Sequence, residues 1–128
     1  MIWRVLFGAA LWLHGLVHLI GFAAALGLGR FEGVPATPAF PAGLTAGDPA
    51  LAVLGVGWAL AAMGFLASAI GVAAGASWWP RAAAAAAAVS LLLCLAWWSN
   101  TAAGALIDTV ILVGLTVRAV ALKPTAAS

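Results

Sequence analysis

The stretch Leu11-Trp12-Leu13-His14-Gly15-Leu16-Val17-His18-Leu19-Ile20-Gly21-Phe22 places two histidines inside an apolar run that extends from about Ile2 to Leu28. A bilayer crossing needs about 20 such residues, so this run is long enough to span. Imidazoles at membrane depth are rare, face a bundle interior or a wet cavity, and mark a functional site by default. The stretch predicts a membrane helix and a candidate site together.

The composition extends that reading to the whole chain. Of 128 residues, 66% are hydrophobic and 6% charged, and the mean hydropathy is +1.20, which a soluble surface of this size would not carry. The length accommodates four spans as one transmembrane domain (1–128), with nothing left for a soluble one. A net charge of +2 comes from five cations against three acids. The cations flank the apolar runs as anchors and form no basic patch, so nucleic acid is not an expected partner. The lone Cys94 excludes an intramolecular disulfide and a redox CxxC pair.

The expected fold is all-α: an integral membrane antiparallel four-helix bundle with spans at about 2–28, 50–75, 80–98 and 101–122. Span one resembles a signal peptide at its charged start, but its length and its two histidines favour a retained helix. A Pro/Gly-rich loop, 29–49, follows, with Pro35, Pro38, Pro41 and Pro49 among Gly33, Gly43 and Gly47. Asp48-Pro49 supplies a cap and a first-turn proline for span two. Gly71 and Gly75 form a GxxxG spacing suited to close helix packing, although glycine is common anywhere in membrane helices. Trp78-Trp79-Pro80 marks one interface and Trp97-Trp98 the other, by the aromatic-belt rule. Arg4, Arg81, Arg118 and Lys123 collect on one side, against Arg30, Glu32 and Asp48 on the other. The positive-inside rule then places both termini in the cytoplasm.

His14 and His18 are four residues apart, so they share a helix face at about 6 Å, which Gly21 and Ala25 continue. Asp108 is the only acid within a span. With span one ending at Leu28 and span four starting at Thr101, His18 lies about 15 Å deep and Asp108 about 10 Å. That predicts contact between His18 and Asp108, with His14 a turn deeper and Trp58 on a cavity wall. Three uses compete for this ligand-binding set of His14, His18, Trp58 and Asp108. A quinone or another apolar ring could take hydrogen bonds from imidazole and carboxyl, between walls drawn from Trp12, Phe22, Trp58 and Phe65. His14, His18 and Asp108 could hold zinc or iron. A plain interhelical bond could fix register, at an average of about 0.6 kcal/mol. Ser68, Ser90 and Thr116 can bond their own helix backbone and need no further role. No nucleophile stands beside a base, no phosphate loop follows a strand, and no strand is expected. Catalytic residues are therefore not assigned.

The string HGLVHLIGF at 14–22, the Pro-containing loop, Gly57-Trp58, Trp78-Trp79, and Trp98-Ser99-Asn100 followed by Gly104 and Asp108 resemble a group of small bacterial four-helix integral membrane proteins, loosely DoxX-like. The likeness spans nearly the whole chain, and its distinctive part is HGxxHxxGF. In that group the turn before span four more often reads Trp-x-Asp-Ala, with Asn near the position of Asp108, so Asn100 and Asp108 exchange character here. The resemblance implies a four-helix, multi-pass protein of the bacterial inner membrane. By analogy only, it suggests quinone-linked redox or partner-subunit roles.

The first expectation is thus a membrane module binding quinone or lipid near the His/Asp cluster. Its rival is a non-catalytic subunit or scaffold, a homo-oligomer included, that packs against a membrane partner protein through its apolar faces and Gly71-xxx-Gly75. The third is a metal-dependent membrane enzyme. The sequence by itself requires no cofactor.

Overall fold

A computed structural model describes residues 2–35, 37–45 and 47–122. It contains four helices: α1 (Ile2–Ala25), α2 (Pro49–Ala74), α3 (Trp79–Ala96) and α4 (Trp98–Ala121). All four are long and apolar enough to cross a membrane. Among the described residues there is no strand beyond an isolated bridge between Phe31 and Val34. Lys123, read above with the cations that collect on one side, lies outside the described residues.

Local chemistry accounts for where the helices stop. α1 ends at Ala25, three residues short of the expected Leu28, because Gly27 adopts φ 67°, while Leu28 N–H bonds Ala23 C=O at 2.8 Å. This left-handed termination satisfies carbonyls that the last turn would leave open. Asp48 caps α2 through the Ala50 N–H at 3.0 Å, with Pro49 at the first position. Gly75 closes α2 at φ 70°. Gly75 is thus a helix cap, with Arg4 of α1 lying against it. Gly71 is buried, but its space is filled from within the chain: a Cβ there would lie 2.7 Å from Trp79 Cβ.

A single residue, Trp97, separates α3 from α4, so α4 starts three residues before the expected Thr101. The Thr101 hydroxyl satisfies the corner by donating to the carbonyls of Cys94 at 2.7 Å and Trp97 at 3.0 Å.

The helices pack in chain order, α1 on α2, α2 on α3 and α3 on α4. Small residues set each seam. Gly15 lies against the Ala62 carbonyl and Phe65, and Gly64 against Ala86. The alanine run of α3 turns Ala83, Ala86 and Ala87 inward and leaves Ala85 and Ala88 outside. Leu11, Phe65, Val72, Ala83 and Ile111 belong to one core cluster, and Trp58, Leu93, Cys94 and Trp97 to a second. Direct backbone packing between α1 and α4 is absent among the described residues, and α4 buries only Ala105, Asp108 and Ile111. The bundle is open along that side.

Candidate functional site

The buried stripe of α1 runs Gly8, Leu11, Gly15, His18, and this places His18 in the core while His14 stands at its edge, facing α4. Asp108 is fully buried in the α4 seam. His14 Nε2 meets Asp108 Oδ1 at 2.9 Å. The expected direct contact from His18 does not form. His18 Nδ1–H donates to the His14 carbonyl at 2.7 Å, and His18 Nε2 meets Ser90 Oγ at 2.5 Å. Ser90 in turn bonds Asp108 Oδ2. The histidines have thus exchanged the expected roles, and the two boundary shifts explain it. Asp108 lies ten residues inside α4 and His14 eleven from the end of α1, so both sit about 15 Å deep, with His18 one turn nearer the surface.

The network His14–Asp108–Ser90–His18 constrains its own protons. The His14 carbonyl can only accept, so His18 carries a proton on Nδ1. Ser90 has one hydroxyl proton for its hydrogen bonds to His18 and Asp108, with Cys94 Sγ a weak further contact at 4.0 Å. Either His18 Nε2 donates to Ser90 and Ser90 to an ionised Asp108, or a protonated Asp108 donates to Ser90 and Ser90 to His18. The two arrangements contain the same protons and differ by a concerted shift of two along the chain. Such a network can pass a proton between α1 and α4 without moving a heavy atom.

Aromatic rings enclose these groups. Phe65 packs edge-on to His14 at 4.7 Å between centroids, and Trp58 packs edge-on to His18 at 5.2 Å and to Trp97 at 5.8 Å. Gly21 permits this, since a Cβ there would lie 2.7 Å from the Trp58 ring. Trp12, expected as a wall, is 44% exposed on the outside of α1, and Phe22 is a partly buried neighbour of the second core cluster.

A cavity of about 300 Å³ opens between α1 and α4, lined by His14, His18, Trp58, Cys94, Trp97 and Asn100, with Val34 and Pro35 of the loop above. This volume lies at the lower end of small-molecule sites. The loop is pinned as a cover: Trp97 Nε1–H donates to the Pro35 carbonyl at 3.1 Å, Asn100 Nδ2–H to that of Gly33 at 2.6 Å, and the N–H groups of Ala39 and Phe40 share the Ala96 carbonyl. Trp58 Nε1–H is buried without a hydrogen-bond partner, and an unpaired buried donor costs about 1–3 kcal/mol.

Two site residues escaped the sequence reading. Ser90 bridges His18 and Asp108 instead of bonding its own helix. Trp97 is buried in the cavity wall instead of anchoring an interface, while Ser68 and Thr116 do bond their own backbones. For Ser90 the available signal was its heptad spacing from Ala83 and from Trp97, which follows the inward face of α3.

One ligating atom from each of His14, His18 and Asp108 lies within 4.8 Å of the others, a set whose chemistry suits zinc or iron. Those donors are already engaged with one another and with Ser90, so an ion would have to displace at least one of these bonds.

Fold and site together define a four-helix bundle of membrane-span length, with a hydrogen-bonded His–Asp–Ser–His chain beside a lateral cavity. No family model, curated protein or solved structure matches the chain.

Proposed function

We propose that this is a multi-pass protein of a bacterial inner membrane, akin to the DoxX-like group, with both ends cytoplasmic, that binds an apolar small molecule bearing a carbonyl head. A quinone fits best, and a lipid is the next candidate. The observation that carries this reading is the cavity of about 300 Å³ beside His14 and His18, with the Trp58 ring in its wall. Edge-on aromatic rings suit a flat head group, and the Trp58 indole N–H, buried away from the cavity with no acceptor among the described residues, would meet a carbonyl oxygen on a small turn of the ring. The opening between α1 and α4 gives an apolar tail a route from lipid. A proton-sharing chain at the cavity wall suits a head group whose redox change involves protons.

The rival reading, a subunit or scaffold packing through its apolar faces and Gly71-xxx-Gly75, keeps its exposed apolar faces and has less support at the glycines, because one is filled by Trp79 and the other is a helix cap. The metal reading keeps the His14, His18 and Asp108 set as its support.

The test is native mass spectrometry with an optical spectrum on protein purified in mild detergent, comparing wild type with Trp58→Phe and with His14→Ala/His18→Ala. A quinone or lipid that copurifies with wild type and is weakened in Trp58→Phe supports the proposal. Bare wild type that also fails to take up added ubiquinone overturns it. A retained metal lost only in the histidine variant transfers the site to the third reading.

A further inference from the structure

The side of the bundle left open between α1 and α4 holds a second cavity, at the end opposite the loop. It has about 640 Å³ and is lined by Trp3, Phe7, Ala10, Trp79, Gly114 and Arg118 among others. The His14–Asp108 pair stands between the two cavities. Phe7 packs edge-on to Trp79 at 5.6 Å, forming an aromatic floor. Gly114 leaves the wall bare, since nothing lies within 4 Å of a Cβ built there.

Arg118 stands at the mouth of this groove. Its guanidinium carbon lies 5.0 Å from the centre of the Trp79 ring. Among the described residues its side chain makes no hydrogen bond or ion pair beside this contact, so its N–H donors are available in a fork that matches phosphate. No carboxylate competes for them among the described residues: Glu32 and Asp48 belong to the other end of the bundle, and Asp108 is engaged with His14. The other described cations at this end are placed differently. Arg4 lies against the Gly75 cap of α2, and Arg81 is exposed in the first turn of α3.

From this we infer a binding site for an anionic phospholipid, with its phosphate on Arg118 and one acyl chain in the groove between α1 and α4. An acyl chain fits because the groove walls are apolar and the helices flanking it do not meet. The phosphate fits because Arg118, the only cation among the described residues that line the groove, lies over the Trp79 ring with no described carboxylate beside it. The inference shares only the bilayer setting with the proposed function, and the site is separate from the His-lined cavity.

The test uses the full chain in mild detergent with an equimolar mixture of phosphatidylglycerol and phosphatidylcholine of identical chains, read by native mass spectrometry. Wild type is expected to bind one phosphatidylglycerol preferentially. Arg118→Gln should lower that preference about fivefold, the weight of one cation near an anionic headgroup, whereas Arg81→Gln should leave it unchanged. Gly114→Leu, which fills the groove, should reduce binding of both lipids. Arg118 is exposed, so its variant tests the site even where Gly114→Leu fails to fold. Equal binding of the two lipids by wild type, an unchanged preference in Arg118→Gln, or an equal loss in Arg81→Gln overturns the inference. So does a dimer that excludes lipid from the groove. None of these outcomes bears on Trp58 or the quinone test.

Discussion

The same helix meets its two neighbours in opposite ways. α1 lies along α2 through Gly8, Leu11, Gly15 and His18, backbone against side chain, with Phe65 of α2 in the middle. Across the opening, α1 reaches α4 through the His14–Asp108 hydrogen bond, with a cavity on either side of it. One contact is built of packed volume and the other of a polar pair. In lipid, where tails are as apolar as leucine, association rests on close packing and on hydrogen bonds, so the two sides of α1 separate these contributions. The packed side should carry stability, and the polar side should carry position.

The largest effect belongs on the packed side. Phe65 is fully buried and touches both imidazole rings, so Phe65→Ala should cost about 3–5 kcal/mol, measured by SDS titration of the folded protein in mixed micelles. A loss under half of that would mean that the seam collapses around the gap, and the contrast would weaken. Ser90→Ala comes next. It removes the bridge that His18 and Asp108 share and strands two buried polar atoms, at about 1–3 kcal/mol. Ser90→Thr, which keeps the hydroxyl, should recover part of that loss.

The open side should respond less. A double-mutant cycle on His14→Ala and Asp108→Asn is expected to give a coupling of about 0.6 kcal/mol, and no more than about 1.7. Hydrogen exchange should rise in α4 and leave α2 unchanged, since among the described residues α4 has no backbone packing on α1. A coupling as large as the Phe65 effect would show that the polar pair, not the packing, holds the bundle together.

Much of this contrast was legible in the chain itself. Apolar runs of span length gave four helices, Asp48-Pro49 gave the start of α2, and an isolated intramembrane acid with two histidines gave the residues that the site brings together. Two helix ends, the close of α1 and the start of α4, were each misplaced by three residues, and those shifts decided the pairing. Moving the start of α4 from Thr101 to Trp98 sinks Asp108 by about 4.5 Å at a helix's rise, almost one turn, and hands it from His18 to His14. Ser90 was hidden because a serine in an apolar helix bonds its own backbone unless a partner faces it, and partners are a property of the fold. Trp97 was hidden for a related reason. A tryptophan at a span end reads as an interfacial anchor, and only the one-residue corner between α3 and α4 turns it inward.

Ser68 supplies the smallest expected effect and the sharpest control. It is as fully buried as Ser90 and lies on the helix that packs most closely on α1, so burial alone would assign the two serines equal weight. Their hydroxyls differ in where they go. Ser68 Oγ donates to the Gly64 carbonyl of its own helix at 2.7 Å, and that carbonyl already accepts the backbone N–H four residues on. Removing the hydroxyl therefore leaves no buried group without a partner, and the lost volume is a single oxygen. Ser68→Ala should shift stability by about 0.5 kcal/mol, the low end of the net worth of one intramolecular hydrogen bond, by the same SDS titration. If Ser68→Ala instead matched Ser90→Ala, the weight of Ser90 would come from its place in the core and not from the chain of hydrogen bonds joining His18 to Asp108. The division of α1 into a packed side and a polar side would then lose its basis.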